Sequence, residues 1–287
     1  MVQTRYSPFF VVGYYRAEQR IVYTWSSMMP TLSPTLAEHN LQQKLGAVSR
    51  QIPNATIATL DTVQVINSGF TSDTFNTAFG GDISELVVQA VKQYYHDITS
   101  PMAWWLGPSS LTSQHQTILE SCGFTLSERH VGMTCQLHNH DYVDLDLPPG
   151  FSIKRCVSVD DYYAFGAVLS SIFDPIDESV KAFYQKIGES SRSSCPEMVY
   201  YIGYHEGIPV TTGALFLTDV AGIYDVATRP EYRRRGFGSA LFRHLVNEAK
   251  QAKYESAVLV ASAEGAGIYE RAGFQKDCVV EEWSFTP

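Results

Sequence analysis

The chain has 287 residues, 45% of them apolar and with 17 Tyr and 15 Phe, so it can bury two cores of ordinary size and is not a disordered polymer. With 30 acidic and 21 basic residues the formal charge is -9, which excludes a chain-wide affinity for nucleic acid or anionic lipid and leaves only local anion sites. Its 5 cysteines form no CxxC pair, which argues against a disulfide framework or a zinc site and fits reduced thiols in a cytosol.

Near the start, Phe9-Phe10-Val11-Val12-Gly13-Tyr14-Tyr15 is too short and too rich in tyrosine for a secretory core, and no stretch approaches the length of a membrane span. The chain therefore reads as soluble and cytoplasmic, with no membrane partner. Met102-Ala103-Trp104-Trp105-Leu106 reads as a buried strand that ends at the turn Gly107-Pro108. Ile118-Leu119-Glu120-Ser121-Cys122-Gly123-Phe124 reads as a short helix stopped by Gly123. It recurs as Ile268-Tyr269-Glu270-Arg271-Ala272-Gly273-Phe274, identical at four of seven positions and offset by 150 residues. A late strand is expected after each copy, at Gly132–Leu137 and Glu281–Phe285.

Between the copies, His138 to Gly150 is polar and acidic and closes on Pro148-Pro149-Gly150, so the chain divides into 1–145 and 146–287. His138 and His140 alternate on this segment without a second ligand cluster; they belong to a solvated linker, and no metal is expected. The second half opens with a strand at Phe151–Arg155 and helical patterns over Val159–Phe173 and Ser179–Glu189. Strands follow at Met198–Tyr204, Val210–Leu217 and Gly222–Ala227. An amphipathic helix from Gly238 to Ala252 carries Leu241, Leu245, Val246 and Ala249 on one face, before a buried strand at Ala257–Val260. This order is α+β with a mixed sheet, not a continuous βαβ repeat.

The sharpest chemical signal runs from Asp225 through Arg233-Arg234-Arg235-Gly236-Phe237-Gly238-Ser239 to Leu241. A strand passes through a turn and glycines into a helix start, where unpaired amides and the helix dipole can hold an anion. Gly236 and Gly238 carry no Cβ to obstruct a phosphate, and three arginines add charge. The P-loop pattern is absent, and Leu241 stands where a dinucleotide fingerprint needs a third small residue. As a nucleic-acid patch, three arginines among 30 acidic residues are too few.

This run resembles the central motif of the GNAT acetyltransferase superfamily, V-x-P-x-Y-R-x-x-G-x-G-x-x-L. The match is at Pro230, Tyr232, Arg233, Gly236, Gly238 and Leu241, with Thr228, next to Ala227, at the first position. The segment from Ala261 to Phe274 is similar to the family's closing motif. Many members have Asn seven residues before the tyrosine of that motif, where this chain has Ser262. The resemblance implies two GNAT-like domains, each a twisted, mixed and mostly antiparallel sheet flanked by helices. The first would be degenerate, since Leu119 replaces the tyrosine and no R-x-x-G-x-G precedes Asp146.

The resemblance also implies acetyl-CoA as co-substrate and direct attack by an amine. Coenzyme would be bound by Val226, Ala227 and Thr228 on the strand, by Arg233 through Ser239 in the loop, and by Ser262. Tyr269 would be the general acid. As base, Asp225 sits on the implied strand, with Glu197, His205, Glu281 and Glu282 on neighbouring ones, and water could relay the proton instead. The acceptor is expected to be a small-molecule amine or an exposed amino group, and is not identified further. A non-catalytic acyl-CoA-binding module is the alternative; it would need the same anion cradle but no Tyr269.

Overall fold

The computed structural model describes residues 35–139, 147–190 and 195–287; the Phe9 to Tyr15 run and the middle of the linker, 140–146, lie outside them. The described chain opens with a helix, α1 (Leu36–Ser49), whose N-cap Thr35 accepts the Glu38 amide. Strands β1 (Thr56–Leu60), β2 (Val63–Asn67) and β3 (Thr77–Phe79) follow, then α2 (Glu85–Asp97), β4 (Met102–Leu106), α3 (Ser113–Ser121) and β5 (Thr125–Gln136). Ser84 and Thr112 cap α2 and α3 in the same manner as Thr35 caps α1.

The second half comprises β6 (Phe151–Arg155), α4 (Val159–Ser170), α5 (Glu178–Glu189), β7 (Met198–His205), β8 (Ile208–Leu217), β9 (Ala221–Thr228), α6 (Phe237–Gln251), β10 (Ser256–Ser262), α7 (Ala266–Arg271) and β11 (Gln275–Phe285). The expected elements are all present, with the last strand of each half longer than its sequence signal. The repeated Gly-Phe pair is a helix stop in both places. Gly123 and Gly273 take φ of 86° and 85°, and the amides of Phe124 and Phe274 return to the carbonyls of Leu119 and Tyr269, each at 3.0 Å.

All described strands join one 11-stranded mixed sheet in the order β1-β2-β3-β4-β11-β5-β10-β9-β8-β7-β6. The two halves are therefore not two separate sheets: they exchange their last strands. β5, from the first half, pairs with β10 from Ser256↔Gln136 to Ser262↔His130. β11, from the second, lies between β5 and β4 and opposes Trp283 to Trp104. A strand's alternation fixes which face it buries but not which neighbour it takes, so the exchange left no trace in the pattern.

Two apolar layers cover the second half's part of the sheet. On one face Leu241, Leu245, Val246 and Ala249 of α6, as expected, pack with Ile223, Val226, Leu259 and Tyr269. On the other face α1, α4 and α5 cover Tyr200, Ala214, Tyr224, Ala227 and Val260. The first half keeps a core of its own around Trp104, Tyr95, Leu119, Phe124 and Trp283. All five cysteines are free and buried. No helix among the described residues is long and apolar enough to cross a membrane.

Candidate active site

The site begins with a break in the sheet. β9 and β10 run parallel but pair only at Ala221↔Ala257 and Gly222↔Val258; beyond these the two strands part. At the same place β9 carries one extra residue against β8, because Thr212 opposes Ala227 while Ala214 opposes Tyr224. Asp225 absorbs it in the left-handed region, with φ of 55°. Thr212 Oγ1 donates to the Asp225 carbonyl at 2.9 Å and Thr211 Oγ1 to the Ala227 carbonyl at 2.6 Å. In a trans peptide the N–H points opposite to its carbonyl, so the amides of Val226 and Thr228 are turned away from β8, toward the gap left by β10.

One turn later α6 opens with backbone amides pointing ahead of the helix. Gly236 is the N-cap of α6, at φ of 84°, and no side chain caps the helix. The first intrahelical bond runs from the Ala240 amide to the Gly236 carbonyl, so the amides of Phe237, Gly238 and Ser239 precede any intrahelical acceptor. The two glycines serve different needs. At Gly236 the left-handed backbone is the constraint, since an added Cβ would meet only Pro148 Cγ at 3.5 Å. At Gly238 a Cβ would lie 2.8 Å from Thr228 Oγ1, so there the close approach of helix and strand requires glycine.

These parts enclose one groove of about 330 Å³. Of the residues given a coenzyme or catalytic role above, Val226, Thr228, Arg233, Arg234, Gly236, Phe237, Gly238, Ser239 and Tyr269 line it, joined by Tyr232, Phe242, Ile268 and Arg271. Arg233 is steered by its Nε bond to the Thr228 carbonyl, at 3.1 Å. Three expected residues are not in the lining. Arg235 stacks outside over Phe237 and Tyr232, at 5.0 and 5.5 Å, with its guanidinium 3.3 Å from His205 Nε2. Ala227 is buried on the opposite face, and Ser262 Oγ accepts the Gly265 amide at 3.0 Å in the turn leading into α7.

Tyr269 is 5% exposed, edge-on to Phe242 at 4.9 Å, and burial holds its hydroxyl well above the ordinary phenol range. It keeps its proton at neutral pH. Asp225 is 1% exposed: its carboxylate accepts the Tyr184 hydroxyl at 2.8 Å and faces Lys44 Nζ at 3.4 Å, on the α1 side of the sheet. Glu197 is exposed, and His205 sits beside Phe237. Glu281 is tied to Arg129, Gln116 and the Trp283 indole.

Glu282 belongs to a group that the sequence did not reveal. His130 is fully buried, stacked on Trp105 at 5.0 Å, and its Nε2 is 3.1 Å from Glu282 Oε2. Because His130 lies opposite Ser262 and Glu128 opposite Glu282, the group stands where β10 ends. Burial lowers His130 to about 4, against the pull of Glu128. It raises Glu282 to about 8, with Asp73 adding to the rise. Glu128 rises to about 7 through burial, opposed by His130 and reinforced by Glu282 and Glu264. These residues come together only through the strand exchange, so no spacing along the chain marks them.

A protonated Glu282 in the fold gives a testable sign. The unfolded chain releases this proton near 4.5 and the folded chain near 8, so its contribution to stability is lost as pH rises between them. Glu282→Gln, which keeps a donor for His130 but cannot ionise, should match the wild type near pH 4.5 and be the more stable of the two above about pH 8. Thermal unfolding across that range checks it. Parallel curves for the two proteins would show that Glu282 is ionised in the fold.

Comparison with known proteins agrees with this geometry. Residues 196–276 match the family model for an acetyltransferase (GNAT) domain, a span that holds both sides of the groove. That span of the second half is thus similar to a GNAT domain. No curated protein matches the sequence. Among solved structures, a GCN5-related N-acetyltransferase from Kribbella flavida superposes with a TM-score of 0.62 at 13% identity, over 88% of this chain and 96% of that one. A second, from Sphaerobacter thermophilus, gives 0.57 at 14% identity over 78% and 80%. A tandem GNAT protein from the clavulanic acid biosynthesis pathway gives 0.53 at 11% identity over 88% and 97%. At these identities the likeness is one of fold, and it extends over both halves. Among the described residues no cluster of His, Cys, Asp and Glu could hold a metal.

Proposed function

We propose that the second half binds acetyl-CoA in this groove and transfers the acetyl group to an amine by direct attack. The observation that carries the reading is the meeting, in one cavity, of the uncapped start of α6, the amide edge of β9 beyond Gly222, and the buried Tyr269 hydroxyl. The amides of Phe237, Gly238 and Ser239, with Arg233 and Arg234, would hold the pyrophosphate. The amides of Val226 and Thr228 would align the acyl arm and stabilise charge on the thioester oxygen as the amine adds. Tyr269, kept protonated, would deliver a proton to the departing thiolate.

The acceptor would enter from the other side of the gap. We assign that entry to the cleft of about 170 Å³ in which the first half's Thr71, Ser72, Asp73 and Thr74 face Phe173 to Asp177, with Ser72 Oγ donating to Asp177 Oδ2 at 3.1 Å. The first half thus forms one wall of the acceptor path in this reading.

Calorimetric titration with coenzyme A, followed by an assay of thiol release over a panel of amines, tests the proposal. Binding without thiol release on any amine would favour a non-catalytic acyl-CoA-binding module. The glycine reasoning gives a sharper form. Gly238→Ala places a Cβ 2.8 Å from Thr228 Oγ1, so the Thr228 side chain or the start of α6 must shift, and the groove lining with it. Coenzyme A affinity is expected to fall about tenfold, roughly 1.4 kcal/mol. Unchanged affinity would take the start of α6 out of the binding site.

A further inference from the structure

The half without a phosphate loop sends one helix across to the half that has it. α1 packs on the face of β9 and β10 opposite α6, and its side chains grip β9 along its length. Asn40 Oδ1 accepts the Tyr224 hydroxyl at 2.7 Å, and its amide donates to Thr218 Oγ1, just ahead of β9, at 3.0 Å. One turn on, Lys44 Nζ lies 3.4 Å from Asp225 Oδ1, the two side chains being 4% and 1% exposed.

Asp225 is the residue at which β9 changes phase. Tyr224 and Asp225 both turn their side chains to the α1 side, and Val226 then faces the groove. Asp tolerates a positive φ better than most residues with a Cβ, but it still favours φ below zero, so contacts on its side chain help to hold it there. A buried carboxylate needs partners in any case. Tyr184 of α5 supplies a hydroxyl and Lys44 of α1 a cation, and both act on the carboxylate of the bulge residue itself. A slip of one residue at the bulge would turn the following amides away from the gap.

We propose that Lys44 is a positioning residue for acyl transfer: by holding Asp225 in the bulge it keeps the amides of Val226 and Thr228 aimed between β9 and β10. This rests on the coenzyme reading of the groove and deepens it. The degenerate half acts on the reaction without touching the coenzyme, through an ion pair on the far side of the strand that receives the acyl group. In that arrangement Asp225 is a partner of Lys44 and Tyr184, and the proton of the incoming amine leaves by another route.

The test uses the whole chain and acetyl-CoA labelled with ¹³C at the thioester carbonyl. Infrared difference spectra report how strongly the bound carbonyl is polarised, and calorimetry reports affinity. Lys44→Met alone strands a buried charge, so the double variant Lys44→Met/Asp225→Asn, which removes both charges, is measured beside it. In the wild type the bound carbonyl band should lie below its position in free acetyl-CoA. In the double variant it should return to the free position, while affinity stays within about threefold, the anchor at α6 being intact.

A folded double variant with the wild-type band would overturn the proposal. So would a double variant that fails to fold, or one whose affinity collapses along with the band, since either would make the pair a support of the fold. A wild type that binds acetyl-CoA without a band shift would refute this proposal and leave the coenzyme site standing. No binding at all would remove both.

Discussion

Trp283→Ala is expected to cost about 3–5 kcal/mol of stability, the usual scale for emptying a buried aromatic site, and to unfold both halves together. Trp283 is 1% exposed and belongs to the last strand of the second half, yet it packs in the core of the first, opposite Trp104 and near Leu119 and Phe124. β5 is the reciprocal case: its Met133 and Cys135 pack with Leu259 and Leu241. Neither half can lose its exchanged strand without opening a sheet edge in its partner. Amide exchange should therefore find β4 and β10 opening at one common free energy, lowered equally in the variant. A loss of protection confined to β11 and β4 would show that the halves are independent. By the same argument a chain lacking residues 1–139 is expected not to fold, since β10 would lose its partner from Ser256 to Ser262 and β11 both of its neighbours.

What was legible in the sequence is what physical chemistry writes locally. The amphipathic stripe of α6, the glycines at its start, and the helix-stopping Gly-Phe pair each follow from nearest-neighbour geometry, and each is found in place. Most of the groove lining was legible for the same reason, because a loop and the helix it leads into are contiguous in the chain. Arg235 shows the limit of that reasoning. Three consecutive arginines cannot all face one way, and the third turns outward onto Phe237 and Tyr232, where a flat guanidinium can stack. What was missed are the partners brought in by the exchange and by α1: His130 beside Glu282, and Lys44 beside Asp225, which are 181 residues apart in the chain. A buried ion pair of that separation has no periodicity to announce it. Lys44 stands on α1, whose apolar stripe is weak, so nothing local points to its burial.

Tyr269→Phe is expected to lower turnover by about 10²-fold while leaving coenzyme affinity and the fold intact, on the reading that its hydroxyl protonates the leaving thiolate. The fold should hold because the ring supplies the packing. It meets Phe242 at 4.9 Å and Phe274 at 6.4 Å, and both contacts survive loss of the oxygen. Affinity should hold because the anion cradle lies on α6, on the other side of the groove. The rate should fall because a hydroxyl whose proton burial retains is replaced by none. The loss has a ceiling: a thiol pKa near 8.5, by analogy with cysteine, makes the thiolate a tolerable leaving group even unassisted. That ceiling supplies a second measurement. With an acyl donor whose thiol is more acidic, the gap between wild type and variant should narrow, since a better leaving group needs its proton less. A gap that stays constant across donors would mean that the hydroxyl orients the substrate. Equal turnover of the two proteins, with chemistry rate-limiting, would return Tyr269 to the aromatic core beneath α7.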